Sequence, residues 1–159
     1  MANRNPQREA FFQESGVVCA NAEQTASAGR LWAAWLESGS VLSLEGPLGA
    51  GKTCFVRGLA HGLGHAPSGV SSPTFTLVHE YTGGAIPLLH YDLYRIESVE
   101  ELEPLGIADD LGATCICAVE WGDKFPQIFP PRTIRIQFTI EGSRRILRAL
   151  NHSPATSPR

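Results

Sequence analysis

The chain reads as a single α/β domain with a mixed parallel and antiparallel sheet and relatively little helix. Three observations lead there. An apolar run, Val41–Glu45, enters the glycine-rich stretch Gly46-Pro47-Leu48-Gly49-Ala50-Gly51-Lys52-Thr53, and a helix-compatible run, Cys54–Ala60, leaves it. Two further apolar runs, Pro87–Tyr91 and Cys115–Val119, each stop at an acid, Asp92 and Glu120. The stretch Thr133–Ile140 alternates strictly, with Ile134, Ile136, Phe138 and Ile140 on one side and Thr133, Arg135, Gln137 and Thr139 on the other. Such alternation marks a strand with one wet face.

Length and composition set the frame. At 159 residues, 43% hydrophobic and 18% charged, the chain has the make-up of one soluble globular domain with a sizeable core. A formal net charge of −3 argues against gripping nucleic acid unaided, since that needs a basic face. No apolar run approaches the roughly 18 residues of a membrane span. Residues 1–9 are polar and lack the apolar core of a secretory signal. Cys19, Cys54, Cys115 and Cys117 form no Cys-x-x-Cys pair, so they read as buried small residues in a reducing compartment. A cytoplasmic protein is the expectation.

In order along the chain, residues 1–15 are mostly polar apart from Phe11 and Phe12 and are expected to fray. Gly16–Ala20 is a short strand. Asn21 with Gln24 forms a capping box for a helix to about Glu37, with Leu31, Trp32, Trp35 and Leu36 on its apolar side. Gly62–Ser72, with three glycines and Pro67, is a loop. Phe75–Tyr81 and Pro87–Tyr91 flank Gly83-Gly84 and read as an antiparallel hairpin. Ser98, with Glu101 three residues on, caps a short acidic helix that ends near Pro104. Pro126, Pro130 and Pro131 mark an irregular connection, and Glu141-Gly142 turns the alternating strand into a last strand ending near Leu150. The domain therefore spans residues 16–150. Residues 151–159 have two prolines and little to bury, and read as a disordered tail.

The chemistry starts at the glycine-rich stretch. Gly-x-x-x-x-Gly-Lys-Thr after a strand and before a helix is the phosphate-loop pattern, which makes the domain P-loop NTPase-like. Its glycines let backbone N–H groups converge on phosphate oxygens, aided by the positive end of the helix. Lys52 would reach the outer phosphates and the Thr53 hydroxyl would ligate Mg²⁺. A metal site of this kind also needs an acid at a strand end. Asp92 and Glu120 both qualify, and spacing alone leaves open which serves the metal and which orients the attacking water. Trp121 has two readings of equal weight, packing on the base or on the core. Arg95, Arg144, Arg145 and Arg148 are available to neutralise charge, although a solvated role is the commoner one. His90 reads as structural. The absence of an Asn-Lys-x-Asp segment favours ATP over GTP.

Four segments then carry a resemblance. They are Leu48–Thr53, Ser72-Pro73-Thr74-Phe75-Thr76-Leu77-Val78, His90-Tyr91-Asp92-Leu93-Tyr94-Arg95 with Glu100-Glu101-Leu102 following, and Val119-Glu120-Trp121. In this order, over roughly Asn21–Arg145, the chain resembles the TsaE family (formerly YjeE), bacterial ATPases of tRNA threonylcarbamoyladenosine biosynthesis. The resemblance implies an ATP phosphate site at Gly49, Ala50, Gly51, Lys52 and Thr53. It implies Mg²⁺ ligands at Thr53 and Glu120, and at Asp92 an acid beside the γ-phosphate needed for hydrolysis. It implies a switch-like loop at Ser72–Phe75 in which Thr74 senses the nucleotide. Thr25 aligns with a position near the base, and Arg144 or Arg145 with another nucleotide contact. The implied partners are the TsaB–TsaD pair, with tRNA met only through them. One departure is Pro47, where the family usually has Asp. Pro47 removes an N–H at one of the less critical positions of the loop, so binding is expected to survive. Two other readings compete. A small-molecule P-loop kinase would carry an Arg-rich lid, which is not evident in the sequence. A nucleotide-dependent scaffold without meaningful turnover would differ in its response to partners.

Overall fold

A computed structural model describes residues 5–66 and 77–150. The chain opens on a helix, α1 (Pro6–Ala10), whose first turn is fixed by Pro6 and by the Asn5 side chain, which accepts from the Gln7 N–H at 2.9 Å. The expectation of a frayed segment up to residue 15 is thus corrected from residue 5 onward. Phe11 is the reason. It is fully buried, meets Trp32 and Trp35 edge-on, and its carbonyl accepts from Ala149 N–H at 2.7 Å.

Strand β1 (Val17–Cys19) leads into α2 (Ala22–Ala33). Asn21 caps α2 by accepting from the Gln24 N–H at 2.9 Å. The Gln24 side chain reaches back to the Ala20 N–H, one residue before the one a standard capping box uses. The helix stops at Ala33 rather than near Glu37, leaving Trp35 and Leu36 to pack from outside it. Strand β2 (Val41–Glu45) is buried throughout and runs through the glycine-rich loop into α3 (Lys52–Gly62).

Beyond residue 77 come β3 (Val78–Tyr81) and β4 (Leu88–Asp92), an antiparallel hairpin as expected. The acidic segment forms the expected short helix, of 3₁₀ type, over Val99–Leu105. Pro104 lies inside it, the Ser98 side chain caps nothing, and Glu101 instead accepts from the Glu97 N–H at 3.1 Å. A short α4 (Ile107–Asp110) precedes β5 (Ile116–Glu120). Two single 3₁₀ turns, Gly122–Lys124 and Pro126–Ile128, form the proline-rich connection. Strands β6 (Ile134–Glu141) and β7 (Arg144–Ala149) finish the domain. The alternation in β6 holds for Ile134, Ile136 and Phe138, but Ile140 is 40% exposed and Thr133 is buried. Pairing with β2 ends at Glu45–Gln137, where the chain leaves the sheet at Gly46, so Ile140 lies beyond the β2 pairing.

The strands make one seven-stranded sheet in the order β1-β7-β6-β2-β5-β4-β3. The inner four, β6, β2, β5 and β4, are mutually parallel, and both edges are antiparallel. Helices α2 and α3 cover one face over Leu42, Leu44, Ile116, Ala118, Ile136 and Phe138. The segments between residues 93 and 129 cover the other over Val41, Tyr91, Cys117 and Val119. Because β2, β4 and β5 run the same way, the loop after β2 and the acids ending β4 and β5 reach one edge of the sheet. That carboxyl edge is where open α/β sheets bind ligands.

Candidate functional site

The loop between β2 and α3 is shaped by its glycines. Gly46 has φ 147°, and a side chain there would collide with the Phe138 carbonyl on β6. Gly49 and Gly51 have φ 79° and 100°, a backbone region that costs other residues energy. Behind Gly51, Thr25 is buried at the start of α2, its methyl 3.1 Å from where a Gly51 Cβ would lie. Thr25 thus packs on the back of the loop. Its hydroxyl donates to the Asn21 carbonyl at 3.4 Å.

Lys52 is buried beneath the loop. Its Nζ donates to the Gly46 carbonyl and, at 2.9 Å, to the Pro47 carbonyl. It also sits 4.1 Å from the centroid of the Trp121 ring. Burial lowers the ammonium pKa, while Glu120, Asp92 and Asp123 oppose the shift. Trp121 holds its ring there with a left-handed backbone, φ 63°, unusual for a bulky residue. Its N–H donates to the Leu44 carbonyl at 3.1 Å, and its ring rests on Tyr94, 5.1 Å between centroids. Strain of this kind persists only where surrounding contacts fix it, and it clusters at functional sites.

Asp92 and Glu120 are register partners at the ends of β4 and β5, and both are buried. Glu120 accepts from the Thr53 hydroxyl, which lies 3.0 Å from each carboxylate oxygen. Its Oε2 is also 2.6 Å from His90 Nε2. Asp92 Oδ1 accepts from the Tyr94 N–H at 2.9 Å, which aims the carboxylate. Arg145 on β7 donates from Nε to the Gly49 carbonyl at 3.3 Å. Arg144 turns the other way and pairs with Glu141 at 2.5 Å. Of the two arginines the structure therefore brings Arg145 to the loop and not Arg144. Thr74, with the rest of Ser72–Phe75, lies outside the described residues. The loop, Asp92, Glu120, Trp121 and Tyr94 line a cavity of about 450 Å³. Thr53 and Glu120 present a hydroxyl and a carboxylate side by side. Such hard oxygen donors suit a small dication that takes its remaining ligands from phosphate and water.

A model of the protein family described as threonylcarbamoyl adenosine biosynthesis protein TsaE matches residues 19–148, which include every described site residue above. The chain belongs to the TsaE family. The family serves tRNA threonylcarbamoyladenosine biosynthesis. The chain is 40% identical to the TsaE protein of Treponema pallidum over 131 residues, covering 81% of this chain and 96% of that one. It is 43% identical to that of Bacillus subtilis over 116 residues, 73% and 72% of the two chains. Against that of Nostoc sp. it is 42% identical over 142 residues, 84% of each. Its fold matches the crystal structure of YdiB from Bacillus subtilis with a TM-score of 0.65 and 32% identity, over 82% and 80% of the two chains.

Sequence reasoning missed several residues of this candidate site. Arg57 and Cys54 line the cavity from α3, Ala22 from the start of α2, and Tyr94 from beyond Asp92. Arg57 had a readable signal, since it follows Thr53 by one helical turn and shares its face. Tyr94 had none, because its place depends on the turn that Asp92 builds. The membrane expectation meets a limited check: no helix among the described residues is long and apolar enough to cross a bilayer.

Proposed function

We propose that the chain is a Mg²⁺-dependent ATPase that acts as a switch on a TsaB–TsaD-type complex during formation of the threonylcarbamoyl group on the tRNA adenosine beside the anticodon. The supporting observation is the meeting of Lys52, Thr53, Asp92 and Glu120 at one carboxyl edge around a loop built for phosphates. Mg²⁺ held by Thr53 and Glu120 would neutralise charge on the phosphate oxygens.

The residues divide the work. Backbone N–H groups of Gly49, Ala50 and Gly51 and the start of α3 bind anionic oxygen. Lys52 exchanges the Gly46 and Pro47 carbonyls for phosphate, so its positive charge goes to the ligand. Asp92, aimed by the Tyr94 N–H, holds and orients the attacking water in the cavity. Trp121 and Tyr94 form an apolar wall that keeps other water out. Thr25 supports the loop from behind, and Arg145 ties Gly49 to β7.

Hydrolysis measured with and without TsaB and TsaD tests the reading. The expected result is slow turnover alone and clear stimulation by the pair. ATP binding without stimulation would favour a scaffold, and phosphate transfer to an added metabolite would favour a kinase.

A further inference from the structure

Resting on the metal reading above, we infer that His90 is the positioning residue of the Mg²⁺ site, holding the Glu120 carboxylate in the orientation in which it meets the cation. His90 lies in the middle of β4, 0% exposed, on the same face as Asp92. Its Nε2 is 2.6 Å from Glu120 Oε2. A carboxylate oxygen can only accept, so the proton of that contact sits on Nε2 and the ring donates. The other ring nitrogen, Nδ1, is buried and has no partner among the described residues. Among the described residues, the one hydrogen bond the ring makes is therefore the one to Glu120.

The geometry around Glu120 explains why this bond has a specific job. The Thr53 hydroxyl spans both carboxylate oxygens at 3.0 Å and offers them a single proton. That lone contact leaves the carboxylate able to rock about its Cγ–Cδ bond. His90 fixes Oε2 from the β4 side and stops the rocking. Thr53 can then keep its proton on Glu120 while its oxygen lone pair faces a cation. Residues that orient a metal ligand in this way are commonly worth about 10- to 100-fold in metal affinity. His90 and Glu120 sit on adjacent parallel strands, where His90 is the register partner of Ala118, two residues before Glu120. The pair is thus set by sheet register and not by a mobile loop.

The experiment separates the metal site from the nucleotide site. A fluorescent ATP analogue is titrated into the full chain in EDTA and again in saturating Mg²⁺, for wild type, His90→Leu and His90→Gln. Gln places an N–H where Nε2 lies, and Leu fills the volume without a donor. In EDTA all three should bind alike. With Mg²⁺, His90→Leu should lose about 10-fold or more of the affinity gained by wild type, and His90→Gln should keep most of it. Should His90→Leu fail to fold, His90→Asn replaces it, because its amide ends near the Nδ1 position and falls short of Glu120. Equal Mg²⁺ gain in wild type and the donor-less variant would overturn the inference alone. So would a His90→Gln variant as impaired as His90→Leu. A wild type indifferent to Mg²⁺ would overturn the metal reading and the inference together.

Discussion

Lys52 shows how much one side chain does at this site. The ammonium is buried against carbonyls and an indole ring, and burial holds its pKa down. A phosphate offers better acceptors and full opposite charge. Lys52→Ala should therefore abolish ATP binding, and equilibrium titration with a fluorescent analogue checks it; wild-type affinity in this variant would remove the phosphate-site assignment. The two acids should differ in kind. Glu120→Ala is expected to weaken binding only when Mg²⁺ is present, because Glu120 touches Thr53. Asp92→Ala should leave binding near normal and slow hydrolysis by about 100-fold or more, the usual worth of a positioned acid or base. Binding and single-turnover rates measured with and without Mg²⁺ separate them, and the reverse pattern would mean the roles are exchanged. At this scale the sequence was legible where a pattern is contiguous, as in Gly46–Thr53. It was not legible where strand register decides. The family resemblance leaves open whether Arg144 or Arg145 meets the loop. Successive residues on a strand face opposite ways, and only the pairing of β7 with β6 shows that Arg145 faces it. His90 was opaque for another reason: a histidine that packs and one that orients a ligand look the same in sequence.

Helices α2 and α3 meet through glycine. A Cβ on Gly29 would strike the Phe55 carbonyl, and one on Gly58 would strike the Ala26 carbonyl, so each glycine abuts the opposing backbone. Inside an ordinary helix, Gly→Ala stabilises by about 1 kcal/mol. Here the sign reverses. Gly58→Ala must push the helices apart, and overpacking of this kind costs about 1–3 kcal/mol. Its melting temperature should fall by several degrees, on the order of 5 °C, since about 1 kcal/mol moves a domain of this size by roughly 2–4 °C. Unchanged or raised melting by calorimetry would show that the crossing tolerates separation. Nucleotide binding should weaken as well, because α2 carries Thr25 onto the back of Gly51. Most elements were readable because their signals are local. Asn21 caps its helix, five apolar residues make β2, and Gly83-Gly84 turns a hairpin. The short helix expected after Ser98 is present as the 3₁₀ segment Val99–Leu105 with Pro104 near its end, but the expected cap is not: the Ser98 side chain makes no capping hydrogen bond. Helix α1 was missed because Phe11 and Phe12 follow a polar run without helical periodicity. Phe11 gains its place from Trp32, Trp35 and Ala149, contacts distant in sequence.

The whole molecule brings its first and last strands side by side and leaves the candidate site to the four parallel strands between β7 and β3. That order is invisible to local patterns, since β7 lies between β1 and β6. The same burial that builds the two cores sets how the molecule responds to alkali. Burial raises the thiol pKa of Cys19, Cys54, Cys115 and Cys117 above 9.0. It also raises the Tyr91 phenol above 10.0, with Asp110 accepting the Tyr91 hydrogen bond and pushing the same way. Stability falls with rising pH wherever the folded state holds more protons than the unfolded one. An unfolded thiol or phenol ionises at its ordinary value, while these folded groups keep their protons to higher pH. Each thiol therefore withdraws stability as pH rises past about 9, and the phenol as it rises past about 10. Lys52 acts in the opposite sense. Its folded pKa is depressed, so between that value and 10.5 the unfolded chain holds the extra proton and stability rises with pH. Among these groups four thiols and a phenol oppose one amine, so a downward net slope is the expected outcome. Under reducing conditions the melting temperature should drop between about pH 8 and about pH 10.5, and Cys117→Ala should shallow the drop by removing one buried proton. A flat or rising profile would mean that the buried thiols ionise in place without cost, and that the core around β5 admits water.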